Sequence, residues 1–225
     1  MFKHTKQFID YCRRELEFDD QIAYEYHSLS VCIIDCVYSL RAKYYSTTVP
    51  VVNRYAEHYM ANDKLSPNDN VTDLISHILE AGGPDSFAAN VLKNNQKSGR
   101  ILKSEVCLKL AQYLRYLHIE TLDDFRCFEA PELLETVVRS VKGMGDAGTN
   151  YLFMLAGDPN RCKPDVHIHH CIKDACGEDI SNENCQILFS EAVAELVKEL
   201  PGLTVAKLDG IIWRKYQAMA AKTKL

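Results

Sequence analysis

The sequence predicts an all-α protein, and three observations carry that expectation. Apolar residues recur at helical spacing in nearly every stretch between breaks. No alternating strand pattern of convincing length occurs. The breaks are short and turn-like: Ser66-Pro67-Asn68-Asp69-Asn70, Gly82-Gly83-Pro84, Asn94 to Gly99, Asp158-Pro159-Asn160 and Pro201-Gly202. They read as turns between packed helices, and there is neither a low-complexity segment nor a repeat of fixed period.

Taken in order, a first helix is expected over 4–17. The second, 28–41, has Ser28 as its cap and places Leu29, Cys32, Ile33, Cys36, Val37 and Leu40 on one face. Helices over 49–61, 71–81 and 84–93 follow. Leu102, Val106, Leu110, Tyr113, Leu114 and Leu117 then form another stripe. Leu133, Leu134, Val137, Val138 and Val141 form a third, with Pro131 at a helix start. Further helices are expected over 147–156, 165–176, 186–199 and 204–221, the last anchored in the core by Trp213.

With 225 residues, 47% hydrophobic and 25% charged, the chain has the composition of a globular protein with a true core. No run of 18 apolar residues is present, which excludes a spanning helix. The start, Met1 to Lys6, leads into Asp10, Arg13, Arg14 and Glu15 where a signal peptide would be apolar, so an intracellular protein is expected, in cytoplasm, nucleoid or nucleus. Nine cysteines, an odd number at irregular intervals, point to reduced thiols, with Cys32, Cys36, Cys107 and Cys127 as small buried hydrophobes. The net charge of −5 argues against a protein that coats nucleic acid over its whole surface. Charge is uneven, however. Residues 93–115 carry Lys93, Lys97, Arg100, Lys103, Lys109 and Arg115 against Glu105 alone, whereas 116–136 and 174–200 are acidic.

The segment that speaks to chemistry is Val141-Lys142-Gly143-Met144-Gly145-Asp146-Ala147-Gly148-Thr149-Asn150-Tyr151. Two glycines one residue apart let the chain turn tightly and bring backbone N–H groups close to a surface. The helix that follows opens at those glycines, so its unpaired N–H groups and positive dipole end make an anion site. An ordinary helix-to-helix turn would have the same pattern. Downstream, Gly157 to His170 contains Pro164, which sets a helix start, and Asp165 in its first turn, where a carboxylate caps free N–H groups.

Hairpin, short helix and Pro-Asp opening the next helix together resemble the helix-hairpin-helix DNA glycosylases of the endonuclease III and 8-oxoguanine glycosylase superfamily. The resemblance implies that the (Leu/Val)-x-Gly-x-Gly hairpin grips DNA phosphate, with Lys142, Gly143, Met144, Gly145 and Thr149 as its contacts. It also implies that Asp165, twenty residues after Gly145, is the catalytic carboxylate. Cys36 to Lys43 resembles the end of the first helix of the six-helix barrel, which makes Arg41 the residue that fills the gap left by a flipped base and sets Tyr38, Tyr44 and Tyr45 near the base pocket. Core tyrosines at an exposed helix end fit the same residues. The implied architecture has two helical lobes with DNA in the cleft between them: 28–157 as the barrel ending in the hairpin, and 1–27 with 158–225 as the second lobe.

Two departures shape the expected chemistry. Strand-cutting members carry a lysine two residues after the second hairpin glycine; here that position is Ala147, and Schiff-base chemistry lacks its amine. Cys162, Cys171, Cys176 and Cys185 are spaced x8, x4 and x8, which does not match the x6, x2, x5 of an iron–sulfur cluster. The same cysteines with His167, His169 and His170 are zinc-type donors, but there is no paired CxxC, and free thiols with surface histidines are the simpler reading. The expected protein is a monomeric, monofunctional glycosylase that needs no metal or organic cofactor. It would act on double-stranded DNA carrying a damaged or modified base, flipping the base and hydrolysing its N-glycosidic bond. The rival is a non-catalytic helix-hairpin-helix DNA-binding protein in which Asp165 is only a cap.

Overall fold

The computed structural model describes residues 1–18 and 26–222. Among them are twelve α-helices, two single π-helical turns and one two-stranded ladder, so the protein is predominantly helical. Contacts divide the chain into two compact units, Met1–Tyr24 with Asp158–Leu225 and Glu25–Gly157. Helix α1 (Thr5–Glu15) belongs to the first.

The second unit is organised around α2 (Leu29–Ser39), every residue of which is buried. Its sequence, Leu-Ser-Val-Cys-Ile-Ile-Asp-Cys-Val-Tyr-Ser, is apolar nearly all the way round, which is the pattern of a helix enclosed on all sides. Ser28 caps it through a bond from the Val31 N–H. A π-helical turn at Tyr44–Thr48 leads into α3 (Val49–Tyr59), with Pro50 in its first turn. Next comes α4 (Val71–Glu80), started by a reciprocal Asn70–Asp73 capping box. The expected 84–93 helix is instead α5 (Pro84–Ser86) running into a second π-helical turn at Phe87–Val91. The segment read as a turn at 94–99 enters a small hairpin, β1 (Lys97–Ser98) paired antiparallel with β2 (Ile101–Leu102). Then follow α6 (Lys103–Tyr116), the short α7 (Leu122–Arg126), α8 (Pro131–Ser140) and α9 (Gly145–Leu155). Helices α6, α9 and α3 pack on α2, which explains why it has no polar face.

In the first unit, α1 packs on α10 (Val166–Cys176) and α11 (Asn182–Leu196), and α12 (Val205–Lys222) packs on both of these. Phe8, Cys12, Ile168, Ile172, Leu188, Phe189, Leu208 and Ile212 make its core, all closed to solvent. Helix α10 ends at Gly177 in the left-handed conformation, φ +78°, the usual glycine stop. Two core assignments are corrected. Cys127 is exposed, because it follows the last turn of the short α7 and not a buried face. Trp213 is only half-buried, edge-to-face with His167 at 6.0 Å, while Ile212 and Tyr216 take the inward positions of α12. No helix of the described residues is long and apolar enough to cross a membrane.

Candidate functional site

The glycine turn joins α8 to α9. Val141 closes α8 with its N–H on the Val138 carbonyl, and the Met144 N–H then bonds the Val141 carbonyl. Gly143 has φ +113° and Gly145 φ +60°, conformations that side chains resist. The two glycines differ in surroundings. A Cβ on Gly143 would meet the Val106 methyl at 3.0 Å and the Ser98 Cβ at 3.2 Å, so Gly143 is needed for packing. A Cβ on Gly145 would meet nothing within 4 Å, and Gly145 is exposed as the first residue of α9. Lys142 is exposed and Met144 buried. Thr149, expected from sequence among the phosphate contacts, has its side chain buried, and its hydroxyl donates to the Gly145 carbonyl at 2.8 Å, across the first turn of α9. The first turn of α9 also carries Asp146, which pairs with Arg139 at 2.9 Å.

The Arg41 turn lies at the same end of this unit. Gly148 of α9 sits against the Leu40 side chain, where a Cβ would come within 3.3 Å, and the Cys36 thiol donates to the Gly148 carbonyl at 3.1 Å. Arg41 itself is exposed and left-handed, φ +52°. The conformation is braced by Lys103, read from sequence as one of a basic surface group. It is 2% exposed, and its ammonium donates to the Tyr38 carbonyl at 3.0 Å, the Leu40 carbonyl at 2.8 Å and Gln96 Oε1 at 2.9 Å. A cation among the last carbonyls of a helix offsets the negative end of its dipole, which is why a lysine tolerates this burial. The rest of the 93–115 group divides too: Lys109 pairs with Glu105 at 2.7 Å, whereas Lys97 and Arg100 are exposed on the hairpin.

The three tyrosines expected near a base pocket, Tyr38, Tyr44 and Tyr45, face different surroundings. Tyr38 is wholly inside the core, its hydroxyl buried and its thiol and hydroxyl neighbours, Cys107 and Ser104, equally closed to solvent, so it lines no open pocket. Tyr45 is 62% exposed and meets Tyr44 edge-to-face. Tyr44 is half-buried and donates to Asp35 Oδ2 at 2.7 Å. Asp35, a residue the sequence reading passed over, is fully buried in α2 and also accepts the Tyr26 hydroxyl at 2.9 Å and the Tyr151 hydroxyl at 2.9 Å. Three phenols thus solvate one buried carboxylate, tying α2 to the 44–48 turn and to α9. Its signal was available: it is the one charged residue in an otherwise uncharged stretch from Ser28 to Leu40.

Asp165 belongs to the other unit. It is half-buried, with extended backbone, and its Oδ1 accepts the His167 N–H at 2.9 Å and the Ile168 N–H at 3.3 Å. The approach to it is clamped. The Asp165 N–H bonds the Lys163 carbonyl at 2.7 Å, and the Lys163 N–H bonds the buried Asp209 carboxylate at 2.8 Å. Burial pushes the Asp209 carboxyl well above the usual range, and the charge of nearby Asp165 adds to this. His169 has its two ring nitrogens on Asp179 at 2.6 Å and Asn182 at 3.0 Å. Burial raises the Cys171 and Cys185 thiols to about 12. Among the described residues no group of three or more His, Cys, Asp or Glu side chains is arranged to hold a metal.

These features belong to a predominantly helical protein in which a glycine-tight turn joins α8 to α9. The chain is a member of the family described as a domain of unknown function, DUF8548, whose model matches residues 6–218. Searches of curated proteins and of solved structures return no match.

Proposed function

We propose that the protein is a monofunctional DNA glycosylase that hydrolyses the N-glycosidic bond of a damaged or modified base, with a helix-hairpin-helix as its grip on the duplex. The observation that carries this reading is the α8–α9 junction. Gly145 opens a helix with no side chain and open space above it, and exposed Lys142 stands beside it. Backbone N–H groups at such a helix start suit a phosphate oxygen, and the missing side chain allows close approach. Exposed Arg41 at the neighbouring turn suits the gap-filling role.

In this reading Asp165 supplies the chemistry. As the base leaves, positive charge develops on the sugar, and a carboxylate oriented by two backbone N–H bonds stabilises it and helps place the attacking water. Asp165→Asn keeps a capping oxygen and removes the charge. Release of base from lesion-bearing duplexes, scored by alkaline cleavage of the abasic product, should fall by about 10²–10³-fold. Unchanged release by the variant removes Asp165 from the mechanism. The double cap on Oδ1 equally favours a second reading, a non-catalytic DNA-binding protein; there, no lesion is excised while duplex binding persists.

A further inference from the structure

We infer that the Lys97–Leu102 hairpin is a second phosphate-binding element, which grips the DNA backbone beside the glycine turn through Lys97 and Arg100. This rests on the nucleic-acid part of the reading above and is independent of catalysis.

The hairpin is built for presentation. Two residues, Gly99 and Arg100, connect β1 to β2, and Gly99 has φ +64°, as the first central position of a type II′ turn requires. That leaves Lys97 exposed at the start of β1 and Arg100 exposed in the turn itself, while Ile101 and Leu102 are partly buried. A two-residue ladder is not stable alone, so its position comes from what holds it. On one side the Ser98 hydroxyl donates to the Gly143 carbonyl at 2.9 Å. On the other, the Lys103 ammonium ties the strand end, Gln96 and the carbonyls of Tyr38 and Leu40 together.

Ser98 therefore fixes the hairpin to the turn that carries Lys142, and Lys103 fixes it to the turn that carries Arg41. With Cα steps of about 3.8 Å, the Cα atoms of Lys97 and Lys142 lie within roughly 14 Å of each other, a span of a few phosphates on one strand. Four exposed cations from three loops thus share one end of a unit in a chain of net charge −5. The tip, Lys97-Ser98-Gly99-Arg100, has no aromatic residue on which a base could stack, which favours backbone contact over readout of single-stranded bases.

The test is fluorescence anisotropy of a labelled undamaged duplex, titrated from low to physiological salt with the 225-residue chain. Lys97→Ala with Arg100→Ala should lower the magnitude of the slope of log K against log salt by about 1.8 and weaken binding roughly tenfold per cation at 0.1 M salt. Ser98→Ala, which loosens the brace and keeps every charge, should weaken binding a few-fold with little change in slope. Thermal melts of each variant show whether the fold is intact. A wild-type protein that binds steeply with salt and a double variant of the same slope overturns the hairpin's role and leaves the DNA reading standing. Wild-type protein that does not bind duplex even at low salt overturns both.

Discussion

Asp35 and Asp69 are both buried carboxylates in the same unit, and they differ in what solvates them. Asp35 accepts three phenolic hydroxyls, from Tyr26, Tyr44 and Tyr151. Asp69, 4% exposed, accepts the Tyr55 hydroxyl at 2.8 Å through Oδ2, while Oδ1 is buried without a hydrogen-bond partner. Burial accordingly raises the Asp69 carboxyl to about 6. A carboxyl whose folded value lies above its unfolded one binds more protons in the native state, so its contribution to stability is complete below about pH 4 and is lost as pH rises through 6. At about 1.4 kcal/mol per unit the loss is about 2–3 kcal/mol. Asp69→Asn keeps an acceptor for Tyr55 and does not titrate. Its stability relative to wild type, from urea unfolding, should improve by about 2 kcal/mol between pH 4 and pH 7; a constant difference across that range would contradict the assignment. The sequence marks Asp35 as a lone charge in an apolar stretch, but not what solvates it, because that depends on how the 26 and 44 segments fold back and on Tyr151, 116 residues away.

At the scale of elements, the glycine turn was legible and the hairpin was not. Two glycines between two apolar stripes announce a tight junction whatever packs against it. A pair of two-residue strands has no alternation to detect, and its place is set by Ser98 meeting Gly143, 45 residues away. The same contact divides the roles of the glycines. Gly143→Ala should destabilise the protein by about 2–4 kcal/mol, since it combines a positive φ with a clash against Val106 and Ser98. Gly145→Ala should cost only about 1 kcal/mol, because only its backbone conformation resists the change. If phosphate approaches the start of α9, Gly145→Ala should nonetheless weaken duplex binding several-fold. Urea unfolding and anisotropy on the two variants separate these effects, and equal losses of stability would refute the distinction. Lys103 shows the limit of reading charge from sequence: a lysine between Leu102 and Ser104 reads as exposed, yet it caps α2 from within.

For the whole molecule, the proposed chemistry ends at an intact abasic strand. Ala147 offers no amine, and Lys163, the nearest lysine before Asp165, is 8% exposed with its backbone clamped by Asp209. Borohydride added during excision should therefore trap no protein–DNA adduct, and strand breaks should appear only after alkali. An adduct that is lost in Lys163→Ala would overturn the monofunctional reading. The sequence by itself determined the predominantly helical class, most helix starts and stops, the glycine junction and the Asp165 cap, because these depend on periodicity, caps and turn residues within a few positions of one another. Only the tertiary structure decided that Thr149 and Lys103 face inward, that Cys127 faces out, that Asp35 gathers three tyrosines and that a short hairpin braces two turns. Those outcomes depend on which surfaces meet across tens of residues, and burial, unlike periodicity, is a property of the packed chain.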